Sequence, residues 1–260
     1  MAAERGAMDI RERLYVATMA DDAVQIAEEY GIGLEIDEFC TAANMDAENF
    51  DLVDRSARKK MEGASRHIFH APFNELFPSA IDPMALRLAY QRLNQAYELA
   101  KQYGISRMVV HSGYVPYVYF KSWFLERSVE FWRTFMADKP EDFHIMIENV
   151  LEDEPHTLAK LIGAIGDRRV RACLDIGHAN CTTSLDLMEW VRALGPCLSH
   201  VHIHNNCREY DNHDPLGRGD IDMDLILKGL MQHAAAGATY TIENLKCADS
   251  LKWLSENGWI

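Results

Sequence analysis

The sequence predicts a single closed (β/α)8 barrel, the TIM-barrel architecture. Short apolar runs typical of buried parallel strands alternate eight times with segments of helical spacing. The unit recurs roughly every 30 residues, as a β-α repeat of this kind requires. The chain of 260 residues also has the length that such a barrel needs, about 250 residues. No linker, low-complexity tract or second domain interrupts the pattern, so residues 1–260 are predicted to form one domain.

The β-α units follow one another along the chain, and glycine closes most of the helices. Leu14–Ala17 is the first apolar run, and Asp21–Tyr30 has apolar residues at helical spacing before it stops at Gly31. The same pattern predicts strands at Leu14–Ala17, Gly33–Ile36, His67–His70, Met108–His111, Phe143–Glu148, Val170–Asp175, Leu198–His204 and Tyr240–Glu243. It predicts helices at Asp21–Tyr30, Asp46–Glu62, Pro83–Tyr103, Lys121–Met136, His156–Ile165, Leu185–Leu194, Asp222–Ala236 and Asp249–Asn257. Ser184 is the predicted N-cap of the helix that begins at Leu185.

A doubly wound open sheet is the alternative architecture for alternating strands and helices. Its dinucleotide-binding form would carry G-x-G-x-x-G after the first strand. The loop after Ala17 contains no glycine, which favours the barrel.

Composition restricts the partners and the compartment. The net charge of −14 is spread through the helices, so a nucleic-acid partner is disfavoured without being excluded. Met1–Arg13 is charged and lacks the apolar core of a secretory signal, and no apolar run is long enough to span a membrane. The six cysteines form no C-x-x-C pair, which favours reduced thiols and a cytoplasmic protein. A homo-oligomer is compatible with the sequence.

Imidazoles and carboxylates stand at the carboxyl ends of six predicted strands. In a barrel these ends meet at one face, whatever their separation along the chain. Such groups are costly to desolvate together unless a metal or a charged substrate compensates them. They are His70, His111, Glu148, Asp175 with His178 just beyond, His202 with His204, and Glu243.

The types of these side chains narrow the predicted cofactor to a divalent metal. Carboxylates and imidazoles without a thiolate suit zinc, manganese, iron(II) or cobalt, and the choice between zinc and manganese stays open. Asp211 and His213 add two further ligand types in the loop after the seventh strand, before the Gly217–Gly219 turn.

Together these motifs resemble the xylose isomerase-like TIM-barrel superfamily over nearly the whole chain. The motifs are Phe69-His70-Ala71-Pro72, Val110-His111-Ser112-Gly113, Ile147-Glu148-Asn149, Leu174-Asp175-Ile176-Gly177-His178, Val201-His202-Ile203-His204-Asn205, Asp211-x-His213, Leu216-Gly217-x-Gly219 and Ile242-Glu243-Asn244. Two branches of the superfamily fit: sugar or sugar-phosphate isomerases and epimerases, and the endonuclease IV family of abasic-site DNA repair enzymes.

The resemblance to ketose 3-epimerases implies one divalent metal and a proton-transfer reaction. The implied metal ligands are Glu148, Asp175, His202 and Glu243. Glu148 and Glu243 would also be the catalytic acid and base, one removing a proton from the substrate and the other returning it. The implied substrate-binding residues are His70, His111, Glu154, His178 and Arg208.

The resemblance to endonuclease IV implies three zinc ions and a scissile phosphodiester. The additional ligands would be His70, His111, His178, Asp211 and His213. The acidic balance and the lack of Lys/Arg clusters after strands one to three disfavour this branch. His204 also interrupts the His-x-Asn-Asp run expected there.

We therefore expect a metal-dependent isomerase or epimerase whose partner is a sugar, a sugar phosphate or a related polyol. An abasic-site (AP) endonuclease and a barrel that binds a sugar or metal without turnover are the alternatives. Aromatic residues after strands three and four are predicted to form a lid over the site: Phe73, Tyr114, Tyr117, Tyr119, Phe120 and Trp123.

Overall fold

Eight parallel strands close into a barrel in the computed structural model, which describes residues 9–260. Each strand pairs with the next in chain order, and the last closes the ring against the first through Leu14↔Tyr240, Tyr15↔Thr241 and Val16↔Ile242. The predicted (β/α)8 TIM barrel is thus confirmed. Residues 1–8 of the predicted domain, and with them most of the segment judged to lack a secretory signal, lie outside the described residues.

The observed elements agree closely with the predicted ones. The strands are β1 Leu14–Ala17, β2 Gly33–Ile36, β3 His67–His70, β4 Arg107–His111, β5 His144–Glu148, β6 Val170–Asp175, β7 Leu198–Ile203 and β8 Thr239–Ile242. The helices are α1 Ala23–Tyr30, α2 Ala47–Met61, α3 Pro83–Gln102, α4 Lys121–Met136, α5 Pro155–Ile165, α6 Ile176–Thr182, α7 Leu187–Leu194, α8 Met223–His233 and α9 Ala248–Glu256. Within residues 9–260, no helix is long and apolar enough to cross a membrane.

The segment after β6 differs from the prediction in two ways. It forms the short helix α6, whose N-cap is Asp175: the Asp175 side chain accepts a hydrogen bond from the backbone N–H of His178 at 2.6 Å. The predicted N-cap Ser184 is wrong, because Asp186 caps α7 by accepting from the N–H of Met188 at 2.9 Å. Asp175 is thus both a predicted metal ligand and the N-cap of α6.

Below the carboxyl ends of the strands, the barrel interior is apolar on one side and polar on the other. Strands β1 and β3 to β6 contribute a small buried cluster: Tyr15, Ile68, Val109, Met146 and Cys173. The ring of Tyr15 occupies the space beside Gly33, where any Cβ would overlap with it. Strands β2, β7 and β8 instead bury polar side chains: Glu35, His200, His202 and Thr241. The site therefore stands on a polar wall within an otherwise apolar barrel.

Candidate metal centre

His202 lies at the centre of a buried group of three carboxylates. Its Nδ1 atom is 3.2 Å from Glu243 Oε1, 3.4 Å from Glu148 Oε1 and 3.7 Å from Asp175 Oδ2. Register places Asp175 opposite His202 on the neighbouring strands β6 and β7. Among the described residues, His202 Nδ1 is buried and has no hydrogen-bond partner. The structure thus brings together the four residues that the resemblance to ketose 3-epimerases implies as ligands of a single metal.

A second group of donors shares Glu148 with the first. The Nε2 atoms of His70 and His111 lie 3.4 and 3.5 Å from Glu148 Oε2, the carboxylate oxygen that faces away from His202. Within residues 9–260, this oxygen also has no hydrogen-bond partner. Glu148 therefore presents one oxygen to each of two histidine-containing groups.

Asp211 organises the third group. Its Oδ2 atom lies 3.1 Å from His213 Nε2 and 3.3 Å from His178 Nε2. His178 Nδ1 is 3.1 Å from the carbonyl oxygen of Asn149, which can only accept, so Nδ1 carries a proton and donates. His204 stacks on His213 with ring centroids 4.1 Å apart and fills the gap between Asp175 and Asp211.

The three groups open on one cavity of about 540 Å³. Its wall is formed by Met19, Asp37, Cys40, His70, Phe73, Asn74, His111, Glu148, Val150, His178, His213 and Glu243. No lysine or arginine appears among these lining residues. A ligand in the cavity would therefore meet imidazoles, carboxylates and one aromatic ring, that of Phe73, which stacks on His111 at 4.1 Å.

Two predicted substrate-binding residues do not reach this cavity. Glu154 caps α5 by accepting hydrogen bonds from the N–H groups of His156 and Thr157, and it pairs with Lys121 at 3.1 Å. Arg208 is exposed, has left-handed backbone geometry (φ 70°) and lines a separate cavity of about 390 Å³. Neither side chain is therefore among the residues that line the cavity.

The predicted aromatic lid is only partly assembled. Phe73 lines the cavity, whereas Tyr114 is buried and packs against Phe124 with ring centroids 5.0 Å apart. Tyr117 and Phe120 are largely exposed in the loop before α4. Tyr114 is therefore a core residue rather than part of a lid.

Burial and neighbouring charges shift the pKa values of the carboxylates in opposite directions. Burial opposes ionisation of Glu148, but the charge of His202 and hydrogen bonds from His178 and His202 outweigh it and hold the pKa well below its usual range. Burial also opposes ionisation of Asp175, but His178 and other imidazoles outweigh it and hold its pKa well below the usual range. Burial raises the pKa of Glu243. Ionised carboxylates and unpartnered imidazole nitrogens at such depth are a donor set that fits a divalent ion such as zinc or manganese.

Comparison with known proteins supports the family expected from the motifs. The sequence model of the family described as "Xylose isomerase-like TIM barrel" matches residues 6–257. The chain belongs to the xylose isomerase-like TIM-barrel family. An uncharacterized protein of Methanocaldococcus jannaschii, MJ1311, is 28% identical over 196 residues, which are 71% of this chain and 66% of that protein, just under two thirds of its length. A probable endonuclease 4 of Mycobacterium leprae is 26% identical over 200 residues, 72% of this chain and 77% of that protein.

Solved structures of other proteins show the same fold. A D-tagatose 3-epimerase-like protein superposes with a TM-score of 0.73 at 22% identity, covering 95% of this chain and 96% of that one. The TTHB071 protein from Thermus thermophilus, studied after soaking with ZnCl2, has a TM-score of 0.71 at 23% identity and covers 94% and 97% of the two chains. At these identities the likeness establishes the barrel and leaves the reaction to chemical argument.

Sequence reasoning missed one buried residue of this family member, Glu35. It lies in β2 beneath the centre, fully buried, with its carboxylate 3.1 Å from His202 Nε2 and 2.9 Å from His200 Nε2. The sequence alone could have marked Glu35, since a charged residue within a predicted buried strand requires a partner. The partners themselves depend on barrel closure, which brings β2 across from β7.

Replacing Glu154 with alanine is expected to destabilise the protein by about 1 kcal/mol without changing metal affinity, because it removes the N-cap of α5. Asp153→Ala is the matched control, since Asp153 contacts the same Lys121 at 2.6 Å but caps no helix. Urea denaturation and zinc titration of both variants provide the check. A large loss of zinc affinity in Glu154→Ala would contradict this placement.

The metal-free protein is expected to lose stability as pH rises from about 7 to 10. Burial opposes protonation of His178, but Asp175, Glu148 and Asp211 raise its pKa to about 10; in the same way Asp211 raises the pKa of His213 to about 9. Both imidazoles bind a proton more tightly in the folded state, so their contribution is complete below the unfolded pKa of about 6.5 and is lost through the folded values. Urea denaturation with a chelator tests this, and stability that rises over the same interval would contradict it.

Proposed function

We propose that the protein is a divalent-metal-dependent isomerase or epimerase that acts on a sugar or related polyol by proton transfer. One observation carries the proposal: Glu148 and Glu243 both face His202 Nδ1, although they come from β5 and from the residue after β8. Two carboxylates reach the same point from strands three apart in the barrel. This arrangement allows one carboxylate to remove a proton and the other to return one.

The metal would supply the electrophile for this chemistry. When bound, a divalent ion polarises a carbonyl and its neighbouring hydroxyl, so that the adjacent C–H proton becomes easier to remove. The residues that would hold it are Glu148, Asp175, His202 and Glu243. His111 stays neutral, since burial lowers its pKa to about 3, and at the cavity wall it can hydrogen-bond to a substrate hydroxyl. His178 and His70 line the same cavity and can bind further hydroxyls.

The cavity wall favours a neutral substrate over a phosphorylated one. Its volume of about 540 Å³ suits a small ligand, and its lining includes no lysine or arginine to receive a phosphate. Sugars and oxidised polyols need only the hydroxyl and carbonyl contacts that imidazoles and carboxylates provide. We therefore place unphosphorylated ketoses ahead of ketose phosphates.

A second candidate function, metal-assisted hydrolysis of a phosphodiester at abasic sites, is favoured by one specific observation. Three adjacent groups each hold ligand atoms within 4.8 Å of one another: His70–His111–Glu148, Glu148–Asp175–His202 and His204–Asp211–His213. Clustered metals could neutralise a scissile phosphate. The lack of basic residues in the cavity wall and the net charge of −14 weigh against a DNA substrate.

A direct comparison of substrates tests the two functions. Protein loaded with zinc or manganese is incubated with a panel of ketoses, ketose phosphates and oxidised polyols, and new isomers are detected by NMR. A synthetic abasic duplex is tested in parallel, with the metal content of the protein measured. Conversion of a neutral sugar or polyol supports the proposal. Incision of the duplex by protein holding three metals per chain supports the hydrolase, and tight sugar binding without conversion supports a binding protein.

A further inference from the structure

A network of buried, hydrogen-bonded side chains lies inside the barrel beneath His202. Glu35 is fully buried and is the acceptor for three groups: His200 Nε2 at 2.9 Å, His202 Nε2 at 3.1 Å and Thr241 Oγ1 at 2.5 Å. The network continues from His200 to Thr239, whose hydroxyl lies 2.6 Å from His200 Nδ1. These groups come from β2, β7 and β8, the polar wall of the barrel.

Thr239 and Arg107 form the end of this network that is farthest from His202. Arg107 Nη2 lies 2.9 Å from Thr239 Oγ1, and a guanidinium can only donate. The Thr239 oxygen accepts from Arg107, and the nearest acceptor for its own proton is His200 Nδ1 at 2.6 Å. The other acceptor near this hydroxyl, the carbonyl of Ser199, is farther away at 3.5 Å.

A carboxylate can only accept, so Glu35 itself determines which nitrogen of each imidazole carries the shared proton. Because Nδ1 of His200 accepts, its proton is on Nε2, which donates to Glu35 Oε2. The other oxygen of Glu35, Oε1, accepts from Nε2 of His202. With Nε2 donating to Glu35, Nδ1 is the His202 atom that faces Glu148, Asp175 and Glu243 and is left for a metal.

We propose that Glu35 is a positioning residue that holds His202 in the orientation and tautomer needed to bind metal through Nδ1, and that His200, held by Thr239 and Arg107, keeps the Glu35 carboxylate in place. A carboxylate behind a ligating imidazole fixes the ring and raises its basicity, and loss of such a partner typically weakens metal binding about 10- to 100-fold. The inference rests on the metal centre of the proposed function but does not depend on which reaction the centre catalyses.

The test measures zinc binding and the histidine nitrogens rather than turnover. In zinc-loaded protein with ¹⁵N-labelled histidine, His202 is expected to show a metal-bound Nδ1 and a slowly exchanging proton on Nε2. Glu35→Gln offers only one carbonyl acceptor, so one imidazole loses its partner. We expect this variant to lose or shift the Nε2 proton signal and to bind zinc about 10- to 100-fold more weakly by chelator competition.

Thr241→Val is the matched control, because it removes a third donor to Glu35 while leaving both imidazole bonds in place. It should keep the His202 signal and nearly the wild-type zinc affinity. A second pair guards against misfolding of Glu35→Gln: Thr239→Val removes the relay hydroxyl with its shape retained, and Thr239→Ser restores it. Thr239→Val should weaken zinc binding and Thr239→Ser should not.

Several results would overturn the inference. These are zinc bound through Nε2 of His202, unchanged affinity and signal in Glu35→Gln, an equally large loss in Thr241→Val, or equal affinities for the two Thr239 variants. Failure of the wild-type protein to bind zinc would overturn the metal centre as well. Normal zinc binding with no isomerase activity would leave this inference standing and count against the proposed function alone.

Discussion

Glu148→Gln is expected to lower turnover by about 10²- to 10⁴-fold, the range that loss of a general acid or base produces. The same change should also weaken or abolish metal binding at two groups of donors, because one oxygen of Glu148 faces His202 and the other faces His70 and His111. A glutamine places an amide nitrogen where one of these oxygens now stands. Turnover is measured by NMR of the sugar product, and metal content by elemental analysis.

Two further variants make the Glu148 result specific. Glu243→Gln should lower turnover by a similar factor, since it removes the partner carboxylate at His202 Nδ1. Glu154→Gln should retain it, because Glu154 caps α5 outside the cavity. Near-normal turnover in Glu148→Gln would remove that residue from the mechanism.

Chelation of the metal is expected to abolish activity and to lower the melting temperature. Zinc at 100 times its Kd would stabilise the folded chain by about 2.7 kcal/mol, which for a domain of this size corresponds to roughly 5–10 °C. The structural reason is that a bound cation compensates Glu148, Asp175 and Glu243 at their point of convergence. Without it, the partners of these buried carboxylates within residues 9–260 are imidazoles and, for Asp175, the backbone N–H of His178.

Dialysis against a chelator, followed by re-addition of zinc or manganese, provides the measurement. Calorimetry and activity should recover together, and the metal that restores more activity identifies the preferred ion. Full activity in protein with no detectable metal would contradict the account. Magnesium added at the same concentration is a useful control, since imidazole ligands suit it poorly.

Much of the fold and the meeting of the strand-end residues could be predicted, because both follow from periodic patterns. Eight alternations of strand and helix favour a closed barrel, and barrel closure brings His70, Glu148, Asp175, His202 and Glu243 to one face whatever their separation. Strand bounds were accurate because apolar runs and glycine stops delimit them. These are properties of local sequence combined with one global rule.

The parts that sequence reasoning missed depend on local competition or on contacts across the barrel. Glu154 stands six residues after Glu148 in the sequence. However, Pro155 begins a helix directly behind it, and the carboxylate of Glu154 accepts hydrogen bonds from two N–H groups of the first turn. Glu35 sits in an apolar run, and its importance appears only when closure sets it beneath His202. The turn at Asp175 reads as a loop, yet its side chain caps a short helix.

The central claim is that Glu148 and Glu243 transfer a proton at a metal-polarised carbon, and solvent deuterium exchange tests it most directly. Metal-loaded protein is incubated in D2O with each ketose or oxidised polyol that it binds, and deuterium at the carbon beside the carbonyl is followed by NMR and mass spectrometry. We predict incorporation by the wild-type protein, and none after chelation or in Glu148→Gln and Glu243→Gln. Exchange that persists in both variants, or conversion of substrate without any deuterium uptake, would contradict the claim.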